Sequence, residues 1–277
     1  MNTLQNLHTH TQYCDGKDTV EEMIQTALEK DFGAIGFSGH SYGFTENSNK
    51  SYSPFSMTLQ GTSEYRKEVK SLKEKYAGRI EVYCGLEVDM YSGIDLSGYD
   101  YLIGSVHYLM KDGNLVGMDR SEEEVRGIIE RHFAGDGMEY AKCYYSELAK
   151  LPEYGKFDII GHFDLLTKHK EKTCFFDTSA KEYQYFAIEA AEKLAGKIPF
   201  FEVNTGAITR GYRTTPYPEP FLLKELKRLG FGAIISSDCH DRTKLDYKFE
   251  QAAELLKSCG FQEKYILTEK GFKAVEL

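Results

Sequence analysis

The chain is 277 residues long, which at roughly 150 residues per domain allows one large domain or two small ones. Hydrophobic residues make up 41% and charged residues 28%, a balance that can bury a core and excludes wholesale disorder. Lys+Arg at 34 against Asp+Glu at 43 leaves a net charge of -9, which argues against a general binder of nucleic acid or anionic membrane and leaves room for a local basic pocket for a small phosphate.

In chain order, Leu4–His10 reads as a strand ending in polar residues. Thr19 and Glu22 form a capping-box pair, and Val20, Met23, Ile24, Ala27 and Leu28 then follow helical spacing up to Gly33. Ala34–Ser38 is a short buried strand, followed by a polar loop, Ser41–Gly61, long enough to be functional. A charged helix spans about Thr62 to Tyr76, and strands follow at Ile80–Glu87 and Tyr101–Val106. Ser121 and Glu124 open a helical stretch toward Lys150, interrupted near Gly135–Gly137. Phe157–Gly161 is the fifth strand, and Ser179 with Glu182 caps a helix to Ala195. Ile198–Val203 and Gly232–Ser236 are strands six and seven. A helix over Leu245–Ser258 and a short strand near Tyr265–Leu267 close the chain. Alternation of this kind predicts parallel strands with crossover helices, and seven or eight such units fit a closed (β/α) barrel better than a doubly wound sheet. With no linker or low-complexity segment, residues 1–277 read as one domain.

The strand ends carry one kind of chemistry. His8 and His10, with Asp15 close behind, follow strand one; His40 follows strand two; Glu87 ends strand three. His107 follows strand four, His162 strand five, and Asp238 and His240 strand seven. In a barrel these ends share one face, where barrel active sites sit. Residues i and i+2 of a strand point the same way, so His8 and His10 can face the axis together, as can Asp238 and His240. Imidazole with carboxylate suits zinc, manganese or iron. Nine such side chains are too many for one ion, so two or three divalent ions are expected, with Glu87 a plausible bridge. Singly, each residue has a plainer reading: a loop histidine, a turn-forming Asp15, an exposed Glu87. The joint pattern outweighs these, because chance would scatter histidines over helices. His132 and His169 fall outside the pattern and are expected to be solvated surface residues.

No apolar run approaches the ~18 residues of a transmembrane helix. The opening MNTLQNLHTH lacks the basic and apolar regions of a signal peptide. Six scattered cysteines without C-x-x-C read as reduced thiols of a cytoplasmic protein, neither a disulfide framework nor a zinc knuckle.

The segments HTHTQYCDG, GFSGH, GLEVD, YLIGSVH, DIIGHFDLL and SSDCH resemble the motifs of the polymerase-and-histidinol-phosphatase (PHP) family of metal-dependent phosphoesterases, nearly end to end. GLEVD followed by YDYLIGSVHYL is most similar to the stand-alone histidinol-phosphatase branch. The resemblance implies a distorted (β/α)7 barrel with a trinuclear metal site. By motif, His8, His10, Glu87 and Asp238 would hold one ion, Glu87, His107 and His162 a second, and Asp15, His40 and His240 a third. It further implies hydrolysis of L-histidinol phosphate in histidine biosynthesis, with Glu87, Asp238 and His240 in the catalytic centre. The family often carries an acidic residue just before the second-motif histidine; here that position is Gly39, a departure that bears on specificity.

The expected chemistry is in-line attack on phosphorus by a hydroxide bridging two ions, with no covalent phosphoenzyme. In the loop after strand six, Arg210 and Arg213 are candidates to clamp the phosphate. Glu202 and Asn204 would orient ligands or bind the substrate amine, and Tyr212 and Tyr217 would wall the pocket. The alternatives are a related phosphoesterase acting on nucleotides or other small phosphomonoesters, an amidohydrolase-type barrel, and a non-enzymatic metal-dependent module. The amidohydrolase reading wants a bridging lysine at a strand end, and Lys168 lies six residues past His162. No polymerase domain accompanies the chain. Oligomeric state is not read from the sequence.

Overall fold

Strands and helices alternate as expected in the computed structural model, which describes residues 2–43, 53 and 55–277. In chain order the elements are β1 (Gln5–Asn6), α1 (Val20–Glu29), β2 (Ala34–Phe37), α2 (Leu59–Lys75), β3 (Glu81–Asp89), β4 (Tyr101–Ser105), β5 (Tyr108–Lys111), β6 (Asn114–Gly117), α3 (Glu122–Phe133), α4 (Gly137–Leu148) and α5 (Leu151–Tyr154). They continue with β7 (Ile159–Ile160), α6 (Lys181–Leu194), β8 (Phe200–Asn204), α7 (Gly206–Thr209), α8 (Pro220–Arg228), β9 (Gly232–Ser236), α9 (Phe249–Ser258), β10 (Glu263–Thr268) and β11 (Gly271–Glu276).

Seven strands pair in the order β1-β2-β3-β4-β7-β8-β9, every pairing parallel. Beyond β1 and β9 the chain ends meet: Thr9 bridges Cys239 in parallel register, and His10 N–H donates to the Cys239 carbonyl at 2.8 Å. The sheet is therefore a nearly closed barrel, as the alternation of strands and helices predicts, with the seven strands that the family resemblance implies. β1 is shorter than the expected Leu4–His10 because His8 N–H turns to the Asn6 side chain (3.0 Å) instead of a neighbouring strand.

Two apolar layers hold the barrel. Outside, the crossover helices bury one face each, as with Val20, Met23, Ile24 and Ala27 of α1. Inside, Leu7, Tyr83, Tyr101, Ile103, Ile159 and Ile234 form a separate cluster. Tyr101 fills the interior. Its hydroxyl donates to the carbonyls of Leu7 and Phe37, and a Cβ at Gly85 or Gly36 would stand 2.2 or 2.5 Å from its side chain. The β10–β11 hairpin closes the end where the strands begin: Gln5 exchanges two hydrogen bonds with the Leu267 backbone, and Tyr265 packs on Phe200. The opposite end, where the strands finish, carries the site.

The Thr19–Glu22 and Ser121–Glu124 capping boxes form as read, and Asp136 restarts the helix after the Gly135 break. Other boundaries differ for local reasons. Ser179 does not cap α6; its hydroxyl and N–H both turn to Asp177, and Ala180 precedes the helix without a side-chain cap. α2 starts earlier, at Leu59, because Thr58 accepts from Gly61 N–H. The last helix starts later, at Phe249, because Lys248 takes a left-handed conformation (φ 63°). The lone final strand is a full hairpin. A second hairpin, β5–β6, turns on Asp112-Gly113, both at positive φ. The expected functional loop Ser41–Gly61 lies partly outside the described residues. Among the described residues no helix is long and apolar enough to cross a membrane, and the six cysteines are unpaired.

Candidate metal centre

All nine strand-end side chains come together at the carboxyl end of the barrel. His8, His10, Glu87, His162 and Asp238 form a buried inner set, and Asp15, His40, His107 and His240 line its half-buried rim. Glu87 is the hub. Its carboxylate lies 2.9 Å from His40, 3.0 Å from His162, 3.3 Å from His8, 3.4 Å from His107 and 3.5 Å from His10. Asp238 stands 3.2 Å from His10, on a backbone at φ 48° that residues other than glycine seldom adopt. His240 reaches Asp15 at 3.2 Å.

The donor atoms fall into three overlapping groups: His10, Asp15, His40 and His240; His8, His10 and Asp238; His40, Glu87 and His107. The first two contain much of the partition implied by the motifs. The third has His40 where the motifs suggested His162, although His162 Nε2 is itself 3.2 Å from His107 Nε2. Several of these atoms are buried with no hydrogen-bond partner among the described residues: His8 Nε2, His10 Nε2, Asp15 Oδ1, Glu87 Oε2 and His162 Nδ1. Unpaired buried polar atoms cost about 1–3 kcal/mol each. Two imidazole nitrogens 3.2 Å apart cannot both donate to each other. Shared divalent cations satisfy such a set, and its mixture of imidazole and carboxylate fits zinc, manganese or iron.

Charge is balanced by proximity. Burial alone would push the Glu87 carboxyl up, but His40, His8 and His107 outweigh it and hold it well below the usual carboxylate range. Burial likewise opposes the charge on His8, where Glu202, Glu87 and Asp238 together raise its pKa well above the ordinary value. Burial, with His240 and His40 nearby, pulls His10 down to about 3.

Glu202 sits beneath the centre, buried and outside the cavity lining. Oε2 accepts from His8 Nδ1 at 2.9 Å and from the Ser236 hydroxyl, while Oε1 accepts from His162 N–H and the Asn204 amide, both at 2.7 Å. It therefore fixes the His8 ring with Nε2 facing Glu87. Glu202→Gln should lower divalent-metal affinity about 10- to 100-fold. Competition against a chromogenic chelator measures this, and an unchanged affinity would remove the positioning role.

The mouth opens into a cavity of about 260 Å³. The two arginines expected at the phosphate part company here. Arg210 lines the cavity and pairs with Asp238 (Nη2–Oδ2 2.9 Å). Arg213 does not line it. It is 3% exposed, paired with Glu219 (2.5 Å), bonded to Thr167 and Thr215, and stacked on Tyr217 at 4.7 Å. Tyr217 is buried with it, whereas Tyr212 does wall the cavity. His169, expected at the surface, is buried: Nε2 bonds to the Arg120 carbonyl at 2.9 Å and the ring packs edge-on to Tyr212. His132 is half-buried on the last turn of α3, away from the mouth. Gly39 is enclosed, since a Cβ there would stand 3.2 Å from Cys14 Sγ and 3.4 Å from Met57 Cε. An acidic side chain at that position would have to displace both.

Among the cavity residues to which the sequence assigns no site role are Asp89, Asp119 and Lys168. Asp89 lies in the GLEVD motif, at the end of β3. Asp119 follows β6, so the Asp112-Gly113 turn signal could have placed it at the mouth. Lys168, set aside as too far past His162, is brought back to the cavity by a 3-10 turn over Leu165–Thr167.

A family model described as PHP domain matches residues 6–206. The "Histidinol-phosphatase" of Bacillus subtilis is 26% identical over 269 residues, covering 89% of this chain and 97% of that protein. The "Probable histidinol-phosphatase" of Deinococcus radiodurans is 28% identical over 272 residues, covering 94% and 95%. A crystal structure of histidinol phosphate phosphatase from Lactococcus lactis, complexed with zinc, L-histidinol and phosphate, superposes with a TM-score of 0.65 at 21% identity, covering 99% of this chain and all of that one.

Proposed function

The chain belongs to the PHP domain family, and from that premise we propose that it is a metal-dependent phosphatase that hydrolyses L-histidinol phosphate to L-histidinol and phosphate. The observation that carries the reading is Glu87 within 3.5 Å of five imidazoles at the mouth of the barrel, beside a cavity that also holds Arg210. The candidate ligands are His8, His10, Asp15, His40, Glu87, His107, His162, Asp238 and His240, holding two or three divalent ions of the zinc, manganese or iron class. Such ions supply charge neutralisation to a phosphate dianion and acidity to water at neutral pH.

The chain's own residues do the rest. Glu202 holds the His8 ring and the His162 backbone from below, Asn204 holds Glu202, and Glu87 ties the histidines of four strand ends to one carboxylate. Arg210, in reach of Asp238 and His240, presents a forked, permanently charged donor to phosphate oxygens. Asp238 holds that fork in place until substrate arrives.

Phosphate release from histidinol phosphate, measured beside nucleotides and sugar phosphates, tests the substrate; an equal or better turnover of another phosphomonoester would move the assignment to that ester. The arginines separate in the same assay. Arg210→Ala should lower kcat/KM about 10- to 150-fold, the loss of one charge-assisted hydrogen bond worth ~1.5–3 kcal/mol, with Arg210→Lys recovering part of it. Arg213→Ala should instead destabilise the fold by about 1–3 kcal/mol, because it leaves Glu219 Oε1 and the Thr167 hydroxyl without their buried partner while Lys170 keeps Oε2. Thermal melts of the two variants distinguish these outcomes, and wild-type kinetics in Arg210→Ala would send the search for phosphate contacts elsewhere.

A further inference from the structure

Five carboxylates line the cavity, and four have partners that leave them no part in reading the substrate's tail. Asp15, Glu87 and Asp238 belong to the candidate ligand set. Asp89 is engaged on both oxygens: Oδ1 accepts from Tyr91 N–H, and Oδ2 accepts from His107 N–H and lies 3.3 Å from His107 Nδ1. The fifth is Asp119. Oδ1 accepts from Lys168 Nζ at 2.7 Å, Oδ2 has no hydrogen bond among the described residues, and the side chain is 35% exposed at the cavity wall.

Asp119 is also held still. Lys168 lies over the Tyr212 ring at 4.4 Å and is only 12% exposed. The next residue along, Arg120, gives its carbonyl to His169, the residue after Lys168. Residues 119–120 are thus fastened to 168–169 by two adjacent contacts, one ionic and one hydrogen-bonded. His169 in turn packs edge-on to Tyr212, so the corner is braced from behind. A carboxylate fixed on one oxygen and open on the other suits a small cationic donor.

L-Histidinol phosphate carries such a donor. Its ammonium sits on the second carbon from the ester oxygen, so a phosphate bound at the strand ends keeps the ammonium near the edge of the metal centre. We propose that Asp119 recognises the substrate ammonium through Oδ2 while Lys168 holds Oδ1, and that this contact sets a preference for amino-alcohol phosphates over phosphomonoesters without an amine. The assignment rests on the histidinol-phosphatase reading above and adds to it the residue that reads the amine.

The test compares L-histidinol phosphate with its deamino counterpart, which keeps the imidazole and the phosphate and lacks the amine, on the metal-loaded full chain. Asp119→Asn should lower kcat/KM for histidinol phosphate about 10- to 150-fold, the range for a lost charge-assisted hydrogen bond. It should leave the deamino ester unchanged and weaken inhibition by L-histidinol by the same factor. Lys168→Met should keep the preference for the amine, because Oδ2 is untouched, and Asp119→Glu should retain part of it. Equal losses on both esters in Asp119→Asn would overturn the proposal, as they would place Asp119 in service of the phosphate. Loss of the preference in Lys168→Met to the level of Asp119→Asn would overturn it too, by assigning discrimination to the pair's packing. A wild-type chain that turns over neither ester refutes the phosphatase reading itself. One that turns over both esters equally well refutes only the role of Asp119.

Discussion

Glu87→Ala should reduce kcat/KM on histidinol phosphate by about a thousandfold or more while the barrel stays folded. A single carboxylate reaches His8, His10, His40, His107 and His162, so its loss uncouples side chains from four strand ends at once. If the metal-dependent stabilisation of developing charge is worth several kcal/mol, losing ~4 kcal/mol of it is about three decades of rate. The fold should survive because the barrel's apolar layers do not include this residue: the interior cluster is built around Tyr101 and the outer one beneath the helices. His132→Ala, on the last turn of α3, is the matched control and should remain near wild type. Steady-state kinetics with circular dichroism on both variants decides the point, and similar kinetics in the two would remove Glu87 from the centre.

Chelation should have the second large effect, and on two readouts. Stripping divalent metal should abolish phosphate release and also lower the melting temperature. The buried nitrogens and oxygens without partners among the described residues, His8 Nε2, His10 Nε2 and Glu87 Oε2 among them, would then lose the proposed cations that satisfy them. A ligand present at a thousand times its Kd stabilises the folded state by about 4 kcal/mol, which for a chain of this size is roughly 10 °C. Reloading with zinc or manganese should restore both. Elemental analysis of the reloaded protein should find more than one ion per chain, since the nine side chains form three overlapping donor groups. At most one ion under metal-replete conditions would contradict the multinuclear proposal.

The convergence of the nine side chains is legible in the amino-acid order alone, because parallel strands send their ends to one face and i, i+2 spacing aims His8 with His10 and Asp238 with His240. Helix starts at Val20 and Glu122 are equally legible, since a capping box is a contact within four residues. What escapes is whatever depends on distant partners. Arg213 reads as a free cation in a Pro-rich loop, yet Thr167, 46 residues back, and Glu219 draw it inside. His169 reads as solvated among lysines, yet the Arg120 carbonyl and Tyr212 bury it. Ser179 has the spacing of a cap, but Asp177 competes for it at shorter range. Asp119 is a different case: the Asp112-Gly113 turn before it is a strong local signal for the β5–β6 hairpin, and only its pairing with Lys168, 49 residues on, depends on a distant partner.

The packing of Tyr101 restricts how this barrel can diverge. Its side chain occupies the space where Gly36 and Gly85 lack a Cβ, so the three positions are sterically coupled. A lineage that first replaces Gly85 drives a methyl group to 2.2 Å from the ring. One that first trims the tyrosine opens an interior void, at a cost on the order of 3–5 kcal/mol for a large aromatic cut to alanine. Either single step should cost stability. Descendants are thus freer to explore new substrates at the rim than to remodel the floor, so the tyrosine with its two glycines should outlast the cavity's specificity as a mark of common descent.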